Sequence, residues 1–160
     1  MDQDEPMDTG SVNDTQFSNN ELLERLRRLA SFRHALAGDV TMPNPQPAPK
    51  RTNDTNPPAM LDTYWSETVL NEDARAFLGL IDGDNWPGAY AAGGYRRLLP
   101  HEIPYATPGD IARFFTFIER GQRFSGDYAG TGWIEGGDML AIAQRAHELA
   151  IELQHEMDAS

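Results

Sequence analysis

The stretch TPGDIARFFTFIERGQRFSGDYAGTGWIEGGDMLAIAQRAHELAIELQHEM, residues 107–157, decides the fold. Its first four residues predict the start of a helix. Thr107 can cap free backbone N–H groups, Pro108 suits the first helical position, and Asp110 favours the positive end of the helix dipole. Apolar residues then recur at helical spacing: Ile111, Phe114, Phe115 and Ile118. Gly121 is the predicted end of this helix.

A second helix is predicted from Asp138 onward. Its apolar residues keep a helical period to the end of the stretch: Met139, Ile142, Ala143, Ala146, Leu149, Ala150, Leu153 and Met157. Glycines crowd the connection between the two helices, which indicates an irregular loop. Together with the apolar pattern that precedes it, this stretch predicts a mostly α fold, in which residues 60–160 form a small helical domain with Gly-rich loops.

Three segments of different composition precede this domain. Residues 1–17 are acidic and polar and are predicted to form a disordered arm. Residues 18–38 are predicted to form one amphipathic helix, because Ser18 and Glu21 have the spacing of a capping box. Residues 39–59 contain six of the eleven prolines and are predicted to be an extended, semi-stiff linker.

One face of the amphipathic helix is a candidate partner-binding surface. It carries four leucines, with Arg33 as an interruption: Leu22, Leu26, Leu29 and Leu36. Two interpretations remain open, since the helix can dock on its own core or contact another protein. Because a proline-rich linker separates the helix from the helical domain, we expect it to be held off that domain and to contact neighbours.

The connection between the two C-terminal helices includes a twelve-residue segment that resembles the calcium loop of EF-hand proteins. An acidic or hydroxyl side chain stands at its first, fifth, ninth and twelfth positions: Asp127, Thr131, Glu135 and Asp138. Gly132 is sixth, as in that family, but Ala129 stands third, where an oxygen ligand belongs. Asp138 also replaces the usual glutamate. The resemblance implies calcium as a ligand and a regulatory binding function.

Composition limits the other classes of function. Acidic residues outnumber basic ones 25 to 13, giving a net charge of −12, which argues against a nucleic acid or an anionic membrane as partner. The absence of cysteine excludes disulfides and thiolate chemistry. The sequence has neither an apolar leader nor a long apolar run. We therefore expect the protein to be located in the cytoplasm or nucleus, or in the virion or host cytoplasm if its source is a virus.

These features favour a non-catalytic protein–protein interaction or assembly protein that forms homo-oligomers through its N-terminal arm. A structural subunit of a virion or of another large particle has this layout. Two alternatives remain: a calcium-binding regulatory protein, and a small hydrolase that uses loop carboxylates such as Asp82 with Asp84. Neither a Gly-x-Ser-x-Gly motif nor a phosphate-binding loop ending in Lys occurs, so no catalytic residue is assigned.

Overall fold

The computed structural model of the chain describes residues 11–43, 68–88, 94–125 and 136–160. These residues form four α-helices, one two-stranded sheet and one short 3₁₀ helix, so the predicted mostly α fold class is confirmed. The elements in chain order are α1 (Asn19–Ala30), β1 (Thr41–Pro43), β2 (Thr68–Leu70), α2 (Glu72–Gly83), the 3₁₀ helix (Ile103–Tyr105), α3 (Pro108–Ser125) and α4 (Gly136–Ala159).

The start of α1 is the predicted capping box. The Glu21 backbone N–H donates to the Ser18 side chain at 3.1 Å, and the Ser18 backbone N–H donates to the Glu21 carboxylate at 2.9 Å. The Ser18 N–H lowers the pKa of Glu21, because it stabilises the charged form. Two donors that would otherwise lack a partner are thereby satisfied, so local sequence alone fixes this boundary.

The end of α1 differs from the prediction, because the helix stops at Ala30 and not near Gly38. One more regular turn would direct Arg33 onto the face that carries Leu26 and Leu29. Instead the chain tightens into turns, and the Arg33 side chain donates back to the Ala30 carbonyl at 3.1 Å. Leu36 still reaches the core after these turns.

The four leucines of the predicted partner-binding face lie in the core of the same chain. Leu22, Leu26 and Leu29 are fully buried and Leu36 is 2% exposed. Among the described elements, α1 makes its main contact with α4. The expectation that the linker holds this helix away from the helical domain is therefore corrected, since the free energy of burying the leucines favours docking.

Part of the predicted disordered arm contacts the rest of the protein. Residues 1–10 lie outside the described residues, but Val12 is hydrogen-bonded to α4 and Asp14 to the start of α3. Phe17, at the end of this segment, packs edge-on against the buried ring of Trp86, with centroids 5.5 Å apart. An aromatic pair of this kind adds to the apolar burial that fixes the chain before α1.

Helix α2 begins at a side-chain cap. The Asn71 side chain accepts the Ala74 backbone N–H at 2.9 Å, and acidic residues follow in the first turn. Ala74, Phe77 and Ile81 form the buried face. Asn85 just after the helix adopts a left-handed φ of 58°, a conformation that asparagine tolerates better than most residues.

Helix α3 begins at Pro108, as predicted, behind a second capping box. The Asp110 N–H donates to the Thr107 hydroxyl at 3.1 Å, and the Thr107 N–H donates to the Asp110 carboxylate at 3.0 Å. The predicted apolar stripe is confirmed, because all four of its residues are fully buried: Ile111, Phe114, Phe115 and Ile118. The helix runs past Gly121 to Ser125, so that glycine is not its end.

Helix α4 forms the long side of the core. It begins at Gly136, two residues before the predicted start. Of its predicted apolar residues, all are buried except Met157, which is half-buried. On its outer face the Arg145 guanidinium lies 3.0 Å from the Glu148 carboxylate and 3.6 Å from that of Glu152, which offsets repulsion between these glutamates.

A short antiparallel sheet joins the two ends of the proline-rich region. Thr41 pairs with Leu70, Met42 with Val69, and Pro43 with Thr68. The beginning of the predicted linker is therefore a strand, and the remaining residues 44–67 lie outside the described part of the chain, as does the predicted domain boundary at residue 60. No described helix combines the length and apolarity that a membrane span requires.

Truncation of a core leucine tests the docking of α1. We expect Leu26→Ala to lower the free energy of unfolding by about 2–5 kcal/mol, because a fully buried leucine is replaced by a cavity. Glu24→Ala, at an exposed position of the same helix, is the matched control and should change it by less than about 0.5 kcal/mol. Urea unfolding checks both, and equal small effects would contradict a docked α1.

A change at Asp110 tests the α3 cap through pH. Burial opposes ionisation of Asp110, but the Thr107 N–H and the Arg113 guanidinium outweigh it and hold the pKa below its ordinary value of 3.8. A lowered folded-state pKa stabilises the protein above the unfolded pKa, and that contribution disappears as the pH falls through the folded value. We expect Asp110→Asn to cost about 1 kcal/mol at pH 7.

The cost of Asp110→Asn should shrink as the pH falls below 3.8, since the wild-type carboxyl then gains a proton. Thermal melts of both proteins at a series of pH values measure the difference. A difference that stays constant down to the acid limit would show that the charge of Asp110 does not contribute.

Candidate functional site

The candidate site is the seam between two parts of the protein. The N-terminal unit is residues 11–43, and the body is residues 68–88, 94–125 and 136–160. The predicted partner-binding leucines fill this seam from the N-terminal side, as described above. They are therefore not available on the surface of this conformation, and their contact with another protein stays a prediction.

Polar contacts at Asp84 hold the middle of the seam. The Arg28 guanidinium of the N-terminal unit lies 3.0 Å from the Asp84 carboxylate, and the Arg25 side chain donates to the Asp84 carbonyl at 2.8 Å. The Asp84 carboxylate raises the pKa of Arg28. Arg25 also lies 4.3 Å above the ring of Phe17, so it makes a cation–π contact at the same place.

This geometry gives Asp84 a structural role and weakens its pairing with Asp82 as a catalytic pair. Asp84 is buried and bound to Arg28, whereas Asp82 is exposed on the last turn of α2. A carboxylate that is buried and bound by a guanidinium is not presented to a substrate. The hydrolase alternative gains no support from the described residues.

A second polar contact joins the N-terminal unit to the start of α3. The Asp14 carboxylate accepts the Gly109 backbone N–H at 2.6 Å, so an aspartate from elsewhere in the chain satisfies a free donor of the helix terminus. A Cβ added at Gly109 would lie 2.7 Å from an Asp14 oxygen. Glycine is required here for close approach and not for an unusual backbone angle.

Two further contacts close the ends of the seam. The Val12 backbone N–H donates to both oxygens of Glu156, at 3.2 and 3.1 Å, near the end of α4. At the other end the Asn71 side chain donates to the Asp39 carbonyl at 2.9 Å, and the Asn71 N–H donates to the Val40 carbonyl at 2.7 Å. Asn71 thus caps α2 and fastens the N-terminal unit with the same side chain.

The predicted calcium loop falls mainly outside the described residues. Asp127, Thr131 and Glu135 are among those not described, and Asp138 is half-buried in the first turn of α4. Among residues 11–43, 68–88, 94–125 and 136–160, no three His, Asp or Glu side chains are grouped closely enough to hold a metal ion. Calcium binding by the 127–138 loop stays a prediction.

A groove follows the seam on the side of α1 and α4, with a volume of about 400 Å³. Its lining includes two arginines from the N-terminal unit and two histidines from α4: Arg27, Arg33, His147 and His155. Sequence reasoning missed this cluster because its two pairs are more than a hundred residues apart. Only the docking of α1 on α4 brings them together.

No protein-family model, curated protein or solved structure matches this chain. The candidate site is therefore inferred from the contacts and distances of this structure alone.

A double-mutant cycle tests the contact between Asp14 and α3. In the wild-type chain, Gly109→Ala places a methyl group against the Asp14 carboxylate, and we expect it to destabilise the fold by about 1 kcal/mol or more. In an Asp14→Ala background the obstacle is gone. The same change should then be neutral or stabilise by up to about 1 kcal/mol, since alanine is the better helix former.

Thermal unfolding of the four proteins measures the coupling between the two positions. Equal effects of Gly109→Ala in both backgrounds would show that Asp14 does not lie against the start of α3. Gly79→Ala is the control, because a Cβ at Gly79 in α2 meets no atom within 4 Å and its effect should not depend on Asp14.

Proposed function

We propose that this protein is a non-catalytic assembly protein that contacts other copies by exchanging its N-terminal unit. In the exchanged form, residues 11–43 of one copy dock on the body of a neighbour and make the same contacts that they make within one chain. A structural subunit of a virion or of another large particle joins its neighbours in a way that suits such an exchange. In the exchanged form the leucines would contact a neighbouring copy, as predicted, and would still be buried, as they are in this structure.

One observation carries the proposal. Pro43 and Thr68 are paired partners in the sheet, so a turn of two residues could join them. The chain instead places 24 residues between them, five of which are proline. Connections longer than about 12–15 residues without secondary structure of their own are uncommon in compact domains, where they are usually functional loops or linkers. A fold that needed only to close this sheet would not need such a connection.

The length of this connection permits exchange. Twenty-four residues can span at most about 80 Å, which exceeds the diameter of a small domain. Exchange conserves each contact of the seam, from the buried leucines to the ion pair of Arg28 with Asp84. The free-energy difference between the closed and exchanged forms is therefore small and depends mainly on the connection and on protein concentration.

The charge of the chain favours exchange over simple contact between surfaces. With a net charge of −12, two copies repel each other when they approach. A surface contact between copies must overcome this repulsion with newly buried area. Exchange adds no new contacts, but two exchanged copies can separate only after the buried leucines and the ion pair at Asp84 have been undocked, whereas copies in simple surface contact can separate without this step.

Shortening the connection tests the proposal. In the test variant, residues 44–67 are replaced by Asn-Gly, a two-residue hairpin turn that fits the observed pairing of Pro43 with Thr68. We expect the full chain to form oligomers as its concentration rises. The shortened variant should remain monomeric and keep its fold, because its N-terminal unit cannot reach a second body. Light scattering after size exclusion measures the mass, and circular dichroism checks the fold.

A Gly/Ser segment of the same length as residues 44–67 is the matched control. It should preserve the oligomers, since exchange depends on reach and not on recognition of the prolines. Mixing unlabelled and ¹⁵N-labelled full chains should give mixed oligomers in native mass spectrometry. A full chain that is monomeric at every concentration would contradict the proposal, as would a shortened variant that forms the same oligomers.

A further inference from the structure

The groove between α1 and α4 is lined by basic side chains from both helices. Arg27 and Arg33 form its wall on the N-terminal unit, and His147 and His155 form its wall on α4. Ile151 lies between the histidines with 47% of its surface exposed. The groove therefore combines cationic or protonatable groups on two sides with an exposed aliphatic side chain.

The two arginines of the groove are not neutralised by the described part of the chain. The Arg27 guanidinium donates to the side-chain carbonyl of Gln154 at 2.9 Å, and the Arg33 side chain donates to the Ala30 carbonyl. Neither has a carboxylate partner among the described residues. Four of the other described arginines do have one: Arg28 with Asp84, Arg96 with Glu102, Arg113 with Asp110, and Arg145 with Glu148.

The arginine pair matters because both side chains line the same groove in a chain whose acidic residues outnumber basic ones 25 to 13. In such a chain, carboxylates are plentiful, so two neighbouring arginines without one leave a local positive site on a negative protein. The acid inside the groove is Asp158, which accepts from the Gln154 side-chain nitrogen at 3.0 Å. Gln154 thus stands between Arg27 and Asp158 and bonds to both, which keeps the guanidinium and the carboxylate apart.

We propose that this groove binds a short acidic peptide segment of a protein partner, with one apolar side chain between its carboxylates. The carboxylates lie against Arg27 and Arg33, whose planar guanidinium groups suit paired hydrogen bonds to a carboxylate. The apolar side chain lies against Ile151. This inference goes beyond exchange between copies, because α1 and α4 form the groove whichever copy supplies α1.

The surroundings of the groove restrict the partner to a short segment. Glu148 and Glu152 are exposed on the neighbouring face of α4, so a long acidic tract or a nucleic acid strand would be repelled on leaving the groove. A volume of about 400 Å³ holds a few side chains. Attraction inside the groove and repulsion outside it both favour a short acidic ligand.

The path of the chain argues against its own acidic N-terminus as occupant. Val12 binds Glu156, which lies about 140–200° around α4 from Ile151 and Asp158. Val12 therefore lies on the side of α4 away from the groove. An acidic segment that ran from Val12 to the groove would have to pass the exposed glutamates of α4. A separate protein meets no such obstacle when it approaches from the open side.

Fluorescence anisotropy tests the groove with the full chain and a labelled peptide, Glu-Asp-Leu-Asp-Glu. The controls are Gln-Asn-Leu-Asn-Gln, which has the same shape without charge, and Lys-Lys-Leu-Lys-Lys, which has the opposite charge. We expect saturable binding of the acidic peptide alone, and weaker binding as ionic strength rises. Arg27→Gln with Arg33→Gln should weaken it roughly 10- to 100-fold.

Arg75→Gln is the matched control, because Arg75 is exposed on α2 and away from the groove. It should leave the affinity unchanged, and circular dichroism should show that all variants fold. His155→Gln, on the opposite wall, provides a second probe and should weaken binding by a smaller factor. The proposal is overturned by an absence of saturable binding, or by a loss in Arg75→Gln as large as that in the double variant.

Deletion of residues 1–10 separates the two sources of an acidic segment. If a separate protein is the natural occupant, the truncated chain should bind the acidic peptide with the affinity of the full chain. A large gain in affinity would show that the first ten residues compete for the groove. That result would overturn a separate partner as the occupant.

Discussion

The docking of α1 on α4 is the interaction on which the rest of the structure depends. Leu22, Leu26 and Leu29 are fully buried, and each contributes about 1.5–3 kcal/mol relative to an exposed position. Without them the apolar face of α4 would be open to water along much of its length. The ion pair at Asp84, the contact of Asp14 with α3 and the groove all exist because this packing sets α1 against the body.

The polar contacts of the seam give the docked helix a defined position. Arg28 at Asp84, Asp14 at Gly109 and Val12 at Glu156 lie at three separate places along the N-terminal unit. Each contact joins two groups of opposite charge, or a carboxylate and a backbone N–H. These attractions act within a chain whose net negative charge opposes the approach of one segment to another. Apolar packing therefore supplies most of the stability, and the polar contacts determine how α1 lies on the body.

Local features could be predicted from the sequence, and features that need two distant segments could not. The capping boxes at Ser18 and Thr107 and the apolar stripe of α3 depend on residues a few positions apart, so short-range patterns revealed them. The sequence does not decide whether α1 docks on its own core, because the proline-rich residues are also typical of a linker that holds a helix away from the domain. The leucine pattern is the same for a helix that binds its own core and for one that binds a partner, so periodicity cannot decide between them.

The seam joins strong packing to a long covalent connection, and this combination has a physical consequence. In an ordinary small domain the connection is short, so the core can close only within one chain. Here Pro43 and Thr68 pair side by side while 24 residues run between them. The contacts define which surfaces meet but not which copy supplies them, so in the proposed exchange the protein concentration sets the balance between the closed and exchanged forms. Because the groove needs only α1 against α4, an acidic ligand bound there would stabilise the seam in either form by holding Arg27 and Arg33 to the α4 wall.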